Sequence, residues 1–116
     1  MSYTVEEYVV LRPDVTIGDG TVIKCAAIIG TGVTIGENCF IAPQAMLLHM
    51  RPDGKSKPVV IKDNVFVGAG VIVLPGVTIC SGTIIGAGSI VNRNIDKAGT
   101  YVGRPCRRIS NKVYTP

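Results

Sequence analysis

The amino-acid sequence predicts an all-β solenoid of very short strands, with residues 1–116 forming a single domain. Three observations support this fold class. Large aliphatic residues recur at every sixth position in two blocks, smaller residues recur four positions after them, and glycine makes up 14 of the 116 residues. Glycine weakens helix interiors, and a six-residue unit is too short to bury its own apolar side chain. Successive units must therefore stack on one another.

The first block, residues 11–46, and the second block, residues 61–96, carry both series of positions. The aliphatic series consists of Leu11, Ile17, Ile23, Ile29, Ile35, Ile41, Ile61, Val67, Val73, Ile79, Ile85 and Val91. The second series consists of Val15, Thr21, Ala27, Val33, Cys39, Ala45, Val65, Val71, Val77, Thr83, Ser89 and Ile95. We expect the aliphatic side chains to point inward and Gly, Asp and Asn to turn the chain. At three units per coil, the two blocks predict about four coils of a triangular prism, whose handedness the period leaves open.

A 14-residue interruption, residues 47–60, separates the two blocks. Pro52, Gly54 and Pro58 prevent this segment from continuing as regular strand, and the six-residue phase slips across it. The segment also holds His49, the only histidine of the chain. A loop that leaves a rigid repeat is a common place for function, so the sequence predicts a functional loop here. Residues 1–10 and 97–116 are expected to cap the open strand edges at the two ends.

The excess positive charge of the chain lies in its C-terminal segment. The formal net charge is +4, and residues 93–116 carry six basic residues against the single acidic residue Asp96. Guanidinium groups are forked donors suited to phosphate. This segment therefore predicts a phosphate-binding site, with a solvated and solubilising tail as the alternative. Nucleic acid is a poorer explanation, because no aromatic residues are interleaved for base stacking.

Targeting signals and cysteine spacing favour a cytoplasmic protein. No stretch approaches the roughly 20 apolar residues needed to span a membrane, and the N-terminus lacks the features of a signal peptide. The four cysteines form no CxxC pair, and a single histidine argues against a Cys/His zinc site, so no metal is expected. We expect reduced thiols, with a disulfide as the alternative.

The second block resembles the hexapeptide-repeat acyltransferases. The motifs that carry the resemblance are PVVIKDNVFVGAG at 58–70, VLPGVTI at 73–79, IGAGSIV at 85–91 and the closing GRPCR at 103–107. The likeness is closest to the maltose and galactoside O-acetyltransferases and their polysaccharide-modifying relatives. It implies a left-handed parallel β-helix, a homotrimer with active sites between subunits, and acetyl-CoA bound in a groove between neighbours.

The resemblance also implies roles for individual residues. A lone histidine is more often structural, but His49 lies shortly before the P-V-x-I segment, where the family carries its catalytic histidine. An imidazole can take the proton from an acceptor hydroxyl as it attacks the thioester, and a backbone N–H can hold the developing oxyanion. The candidates for acetyl-CoA binding are Gly68, Ala69, Ala87, Asn92, Arg93, Arg104 and Arg107. Arg51 and Asp53 are candidates for acceptor contacts, although loop solubility explains them equally well.

The sequence therefore predicts an acetyl-CoA-dependent O-acetyltransferase acting on a hydroxyl of a sugar or polysaccharide precursor, with His49 as general base. One alternative is an N-acetyltransferase for an amino sugar, including a nucleotide-linked one. Another is a non-catalytic β-helix that serves as a scaffold or binding module. The sequence departs from the family at Phe66, where Trp is common, and at Cys80, which replaces a turn glycine. The sugar-binding amide of galactoside relatives has no counterpart near residues 22–25, which leaves the acceptor open.

Overall fold

In the computed structural model, which describes residues 2–116, the chain winds into a left-handed parallel β-helix, as the resemblance implies. Fourteen strands of two residues each form the coils. They are β1 (Thr4–Val5), β2 (Val10–Leu11), β3 (Thr16–Ile17), β4 (Val22–Ile23), β5 (Ile28–Ile29), β6 (Thr34–Ile35), β7 (Phe40–Ile41), β8 (Met46–Leu47), β9 (Val60–Ile61), β10 (Phe66–Val67), β11 (Ile72–Val73), β12 (Thr78–Ile79), β13 (Ile84–Ile85) and β14 (Ile90–Val91). Two longer strands follow, β15 (Thr100–Gly103) and β16 (Cys106–Ser110). Within the described residues, no helix is present that could cross a membrane.

Three sheets form the faces of the prism. Sheet A has the order β1-β4-β7-β10-β13-β15-β16, sheet B has the order β14-β11-β8-β5-β2, and sheet C has the order β12-β9-β6-β3. The strands of the coils pair in parallel, as Ile23 does with Ile41. Each coil takes one strand from each sheet, so coil 1 is β1–β3, coil 2 is β4–β6, coil 3 is β7–β9 and coil 4 is β10–β12. Coil 5 consists of β13, β14 and Ile95, which bridges to Ile79 in sheet C.

The structure thus has about five coils, one more than the four predicted. Residues 1–10 were expected to act as a cap, but they contain β1 and the first residue of β2 and so begin the first coil. The count was low because the aliphatic series left out three positions that complete coils: Val5 in β1, Leu47 in β8 and the last position of sheet C, where Ile95 bridges to Ile79. At the first corner of coil 1, which has no Gly, Asn or Asp, Tyr8 takes the left-handed conformation with φ of 63°.

The core contains the two predicted series of side chains. From Ile23 to Ile95, every member of both series is at most 5% exposed, and Leu47 extends the aliphatic series at 0%. Fully burying one such aliphatic side chain contributes about 1.5–3 kcal/mol. The polar members are satisfied internally; for example, the Thr21 hydroxyl donates to the carbonyl of Gly36 at 2.6 Å and accepts from the N–H of Cys39 at 3.0 Å. The closely packed core therefore makes the prism a rigid support for the residues at its corners.

The predicted functional loop leaves the corner between sheets B and C, which we call the B–C corner, in coil 3. It spans residues 48–59, because the structure places Leu47 in β8 and Val60 in β9. The loop folds back as a hairpin in which Lys57 N–H donates to the carbonyl of His49 at 2.6 Å and Met50 bridges to Ser56. The hairpin base therefore fixes the backbone around His49.

The C-terminal segment closes the end of the prism and then turns back over sheet A. β15 pairs in parallel with β13 and β16 pairs antiparallel with β15, which covers the open edge as predicted. Residues 111–116 form a strap that the sequence did not predict. In this strap, Tyr114 N–H donates to the carbonyl of Gly82 at 2.9 Å, and its ring centroid lies 5.4 Å from that of Phe66. Phe66 in turn stacks on Phe40 at 5.1 Å.

Replacing the strap's aromatic anchor should destabilise the protein. We expect Tyr114→Ala to lower the free energy of unfolding by about 1–3 kcal/mol, because it removes an aromatic contact and exposes the outer face of Phe66. Tyr3 is 49% exposed and makes no ring contact with the aromatic residues among positions 2–116, so Tyr3→Ala should change stability by less than about 0.5 kcal/mol. Denaturant unfolding at fixed protein concentration measures both values, and equal effects would show that the strap adds no stability.

Candidate active site

His49 is held at the B–C corner of coil 3 by packing against the coil below. It lies two residues after β8 and is half-buried. Its ring covers Gly30, the first corner residue after β5 in coil 2. A Cβ atom at Gly30 would lie 2.7 Å from His49 Nδ1 and 2.8 Å from the carbonyl oxygen of Leu47. Only glycine therefore allows the imidazole to sit so close to the backbone of coil 2.

The predicted acceptor-contact residues lie in the outer part of the hairpin, beyond the bridge between Met50 and Ser56. Arg51 and Asp53 are both exposed and form a loose ion pair with 3.7 Å between Nη2 and Oδ2. The other carboxylate oxygen of Asp53 accepts from Lys55 N–H at 2.9 Å. Asp53 thus stabilises the hairpin turn itself, and an acceptor contact from either residue stays a prediction.

Four of the predicted cofactor residues lie together at the corner between sheets A and B, which we call the A–B corner. Ala69 in coil 4 and Ala87 in coil 5 stack there, with Gly88 N–H donating to the carbonyl of Ala69 at 2.8 Å. A Cβ atom at Gly68 would lie 2.7 Å from the nitrogen of Ala87, so glycine is required for this spacing. Arg104 Nε donates to the carbonyl of Gly88 at 2.8 Å. The methyl groups of Ala69 and Ala87 are exposed and leave the backbone beside them open to a ligand.

The remaining cofactor candidates lie at the other edge of sheet B. Asn92 and Arg93 follow β14 at the B–C corner of coil 5, where Arg93 and Arg107 line a cleft of about 390 Å³. The cleft is bounded by Arg93, Asn94, Ile95, Tyr101, Cys106, Arg107 and Arg108. The guanidinium group of Arg108 already has a partner within the fold, because it donates two hydrogen bonds to the carbonyl of Ala98. Arg93 and Arg107 make no ion pair or side-chain hydrogen bond with any residue from 2 to 116, so both are available to an anion.

One chain does not bring all of these residues together. His49 and the basic cleft share the B–C corner and are two coils apart, a separation of roughly 10 Å given a strand spacing of about 4.8 Å. Ala69, Ala87 and Arg104 lie across the width of sheet B, at the A–B corner. The outward side chains of sheet B between these corners are all apolar: Val10, Ile28, Met46, Ile72 and Ile90. Val10 is 44% exposed and Met46 is 37% exposed, and no segment among residues 2–116 covers this row.

The cysteines lie in settings that suit structural roles. All four are free thiols, and Cys39 and Cys106 are buried. Burial raises the pKa of the Cys39 and Cys106 thiols, which disfavours the nucleophilic thiolate at neutral pH. Residues 2–116 contain no group of three His, Cys, Asp or Glu side chains that could hold a metal ion.

Two residues near His49 were not identified as site residues from the sequence. Gly30 supports the imidazole, and Arg12 lies directly below Gly30 because β2 pairs with β5 in register. The signal was present in the sequence, since residues one coil apart are 18 positions apart. Using this 18-residue spacing requires knowing first that three six-residue units form a coil, and that the loop replaces a corner rather than a strand.

Comparisons with known proteins agree with this fold. The family model for bacterial transferase hexapeptides (six repeats) matches residues 14–49 and 58–93. The chain is 34% identical over 123 residues to the 2,3,4,5-tetrahydropyridine-2,6-dicarboxylate N-acetyltransferase of Halalkalibacterium halodurans, an alignment that covers 90% of this chain and 51% of that protein. The chain spans about half the length of the curated relatives it matches.

Two solved structures with the same fold are acetyltransferases. A maltose O-acetyltransferase from Clostridium difficile 630 superposes with a TM-score of 0.84 at 29% identity, over 98% of this chain and 68% of that chain. A galactoside acetyltransferase in complex with coenzyme A superposes with a TM-score of 0.76 at 32% identity, over 95% of this chain and 66% of that chain.

Proposed function

The chain belongs to the bacterial hexapeptide transferase family, and on that premise we propose that it is an acetyl-CoA-dependent O-acetyltransferase acting on a hydroxyl of a sugar or polysaccharide precursor. The observation that carries the proposal is the shared B–C corner of His49 and the basic cleft. One corner thus carries a histidine that can act at the thioester end of a coenzyme A donor and, two coils away, an arginine-lined cleft that can bind its phosphate end. The maltose and galactoside acetyltransferases of the same fold support the choice of acceptor.

In this proposal, His49 is the catalytic residue. Its imidazole accepts the proton of the acceptor hydroxyl while the hydroxyl oxygen attacks the thioester carbonyl carbon. The C–S bond then breaks, and the proton passes from the imidazole to the departing thiolate sulfur. The carbonyl of His49, bound to Lys57 N–H, keeps the histidine in place during this exchange. No covalent acyl-enzyme is needed, which agrees with the buried state of Cys39 and Cys106.

The donor is held by residues of both corners. Arg93 and Arg107 bind the 3′-phosphate end of acetyl-CoA in the basic cleft, with Asn92 beside them. The extended pantetheine arm lies against Gly68, Ala69 and Ala87, where small residues leave backbone N–H and C=O groups accessible. Arg104, which donates to the carbonyl of Gly88, lies at the end of the stack formed by Ala69 and Ala87.

The separation of the two corners leads us to propose a homotrimer. If sheet B faces a threefold axis, the A–B corner of each copy meets the B–C corner of the next, and the apolar row of sheet B is buried. Each of the three grooves then contains His49 from one copy and Ala69 and Ala87 from its neighbour. The uncovered apolar row and the division of the site both support this arrangement.

The proposal is tested by titrating the protein with acetyl-CoA and with dephospho-coenzyme A in a calorimeter. We expect micromolar binding of acetyl-CoA and a loss of roughly 10- to 100-fold without the 3′-phosphate, because that group pairs with Arg93 and Arg107. Arg107→Ala should weaken acetyl-CoA and leave dephospho-coenzyme A almost unchanged. Lys62→Ala is the matched control, since Lys62 is exposed at the corner between sheets C and A. A folded protein that does not bind acetyl-CoA would favour the non-catalytic scaffold.

A second candidate is an N-acetyltransferase, favoured by the N-acetyltransferase from Halalkalibacterium halodurans to which the chain is similar. The same histidine would take the proton from an amine in place of a hydroxyl. Acetyl transfer to matched pairs, such as glucose against glucosamine, distinguishes the two reactions.

A further inference from the structure

Arg12 lies one coil below the glycine that supports His49. It follows β2 at the B–C corner of coil 1, and its N–H donates to the carbonyl of Ile29 at 3.0 Å. Because Leu11 pairs in register with Ile29, the next residues, Arg12 and Gly30, are also stacked, with Cα atoms about 4.8 Å apart. The long arginine side chain therefore originates immediately below the place where the imidazole rests.

Gly30, which lies between Arg12 and His49, leaves the space between their two side chains open. Gly30 has no side chain, and a Cβ atom there would already overlap His49 Nδ1. No side-chain atom of residue 30 can therefore separate the imidazole from the guanidinium group. A small molecule at this corner can contact both groups at once.

Arg12 is also uncommitted within the fold. It is exposed, and it forms neither an ion pair nor a side-chain hydrogen bond with any of residues 2–116. Asp14 lies two residues further along the same corner, so the local charge of the pair sums to zero. The planar guanidinium of Arg12 matches a carboxylate with two parallel hydrogen bonds, and the Asp14 carboxylate near it disfavours a more highly charged anion such as a phosphate dianion.

The direction of approach favours the acceptor as the occupant. The proposed donor lies along coils 4 and 5, between His49 and the basic cleft. The acceptor must reach His49 from the other side, where coils 1 and 2 present Arg12 and Gly30. We propose that Arg12 binds a carboxylate of the acceptor, which makes the preferred acceptor an acidic sugar such as a uronic or sialic acid. This inference rests on the proposed acetyl transfer at His49 and makes Arg12 its specificity-determining residue.

The test compares acids with their amides, which differ only in the charged group. Glucuronic acid, galacturonic acid and N-acetylneuraminic acid are each titrated against the corresponding carboxamide by saturation-transfer NMR, with free coenzyme A present so that no reaction occurs. We expect at least one acid to bind 10-fold or more tightly than its amide. Arg12→Ala should remove that preference, with a loss of roughly 10- to 100-fold for the acid and little change for the amide.

Two further variants define the outcome. Arg12→Lys should retain part of the preference because it keeps the charge, whereas Lys62→Ala should leave all of it. Equal binding of every acid and its amide, or no binding of any acid, overturns the proposal, as does a preference that survives Arg12→Ala. Two measurements separate an effect on acid binding from an effect on the donor site. One repeats the same titrations without coenzyme A, and the other measures the affinity of Arg12→Ala for coenzyme A. Unchanged coenzyme A binding with no acid preference would leave the proposed acetyltransferase standing and remove only the role of Arg12.

Discussion

Replacing His49 with alanine is expected to lower kcat by about 10²- to 10⁴-fold, which is the usual contribution of a general base. The substitution removes the imidazole that accepts the proton of the attacking hydroxyl. It does not touch the basic cleft two coils away, so the affinity for acetyl-CoA should stay within a factor of about two. Steady-state kinetics with a sugar acceptor and calorimetric titration of acetyl-CoA measure the two quantities on the same preparation.

Lys55→Ala is the matched control for this experiment, because Lys55 lies in the same hairpin and its side chain makes no ion pair or hydrogen bond with residues 2–116. Its kcat should equal that of the wild type. If His49→Ala retains full turnover, His49 is not the base. A parallel loss of acetyl-CoA binding would instead indicate that the substitution disturbs the hairpin and the groove together.

Mixing two inactive variants should restore activity. His49→Ala disables the B–C corner of a copy, and Ala87→Trp blocks its A–B corner by filling the space beside the backbone. In a trimer that contains both variants, exactly one of the three grooves combines an intact His49 with an intact Ala87. Random assembly at equal amounts makes about three quarters of the trimers mixed, so the mixture should recover about a quarter of wild-type activity.

The mixing experiment has its controls in the unmixed proteins. Each variant alone should form trimers by light scattering and show almost no turnover, and simple mixing without unfolding and refolding should restore nothing until subunits exchange. A site contained within one chain predicts no recovery at any ratio. Failure of the mixture, despite verified mixed trimers, would therefore contradict the division of the site between neighbouring copies.

The sequence predicts most of the fold because its signal is local and repeated. Ile23, Ile29 and Ile41 occupy core positions that the six-residue period alone assigns, and their burial is confirmed. The first strand, β1, and the corner after it were missed because Tyr8 turns that corner without the Gly, Asn or Asp on which the prediction relied. The strap was missed for a different reason, since the contact between Tyr114 and Phe66 joins positions that share no period.

For the candidate site, the sequence names residues but does not show how they are arranged in space. His49 and Arg93 are both candidates from the sequence, but the sequence alone did not place them on one corner, because the loop breaks the period between them. Ala87 lies at a different corner although it is only six positions before Arg93. Gly30 resembles any other turn glycine until the structure shows His49 resting on it. Roles that depend on which residues stack across coils require the coil length as well as the sequence.

The regular spacing of the coils also fixes the distances between residues along the prism. His49 and Arg93 are separated by two whole coils, and adding or removing one 18-residue coil changes that separation by about 4.8 Å. Intermediate separations are not available, because in-register pairing keeps successive coils one strand spacing apart even where a loop such as residues 48–59 lengthens the chain. In the proposed site, the number of coils therefore sets the distance between the base and the phosphate clamp, and it can change only in steps of about 4.8 Å.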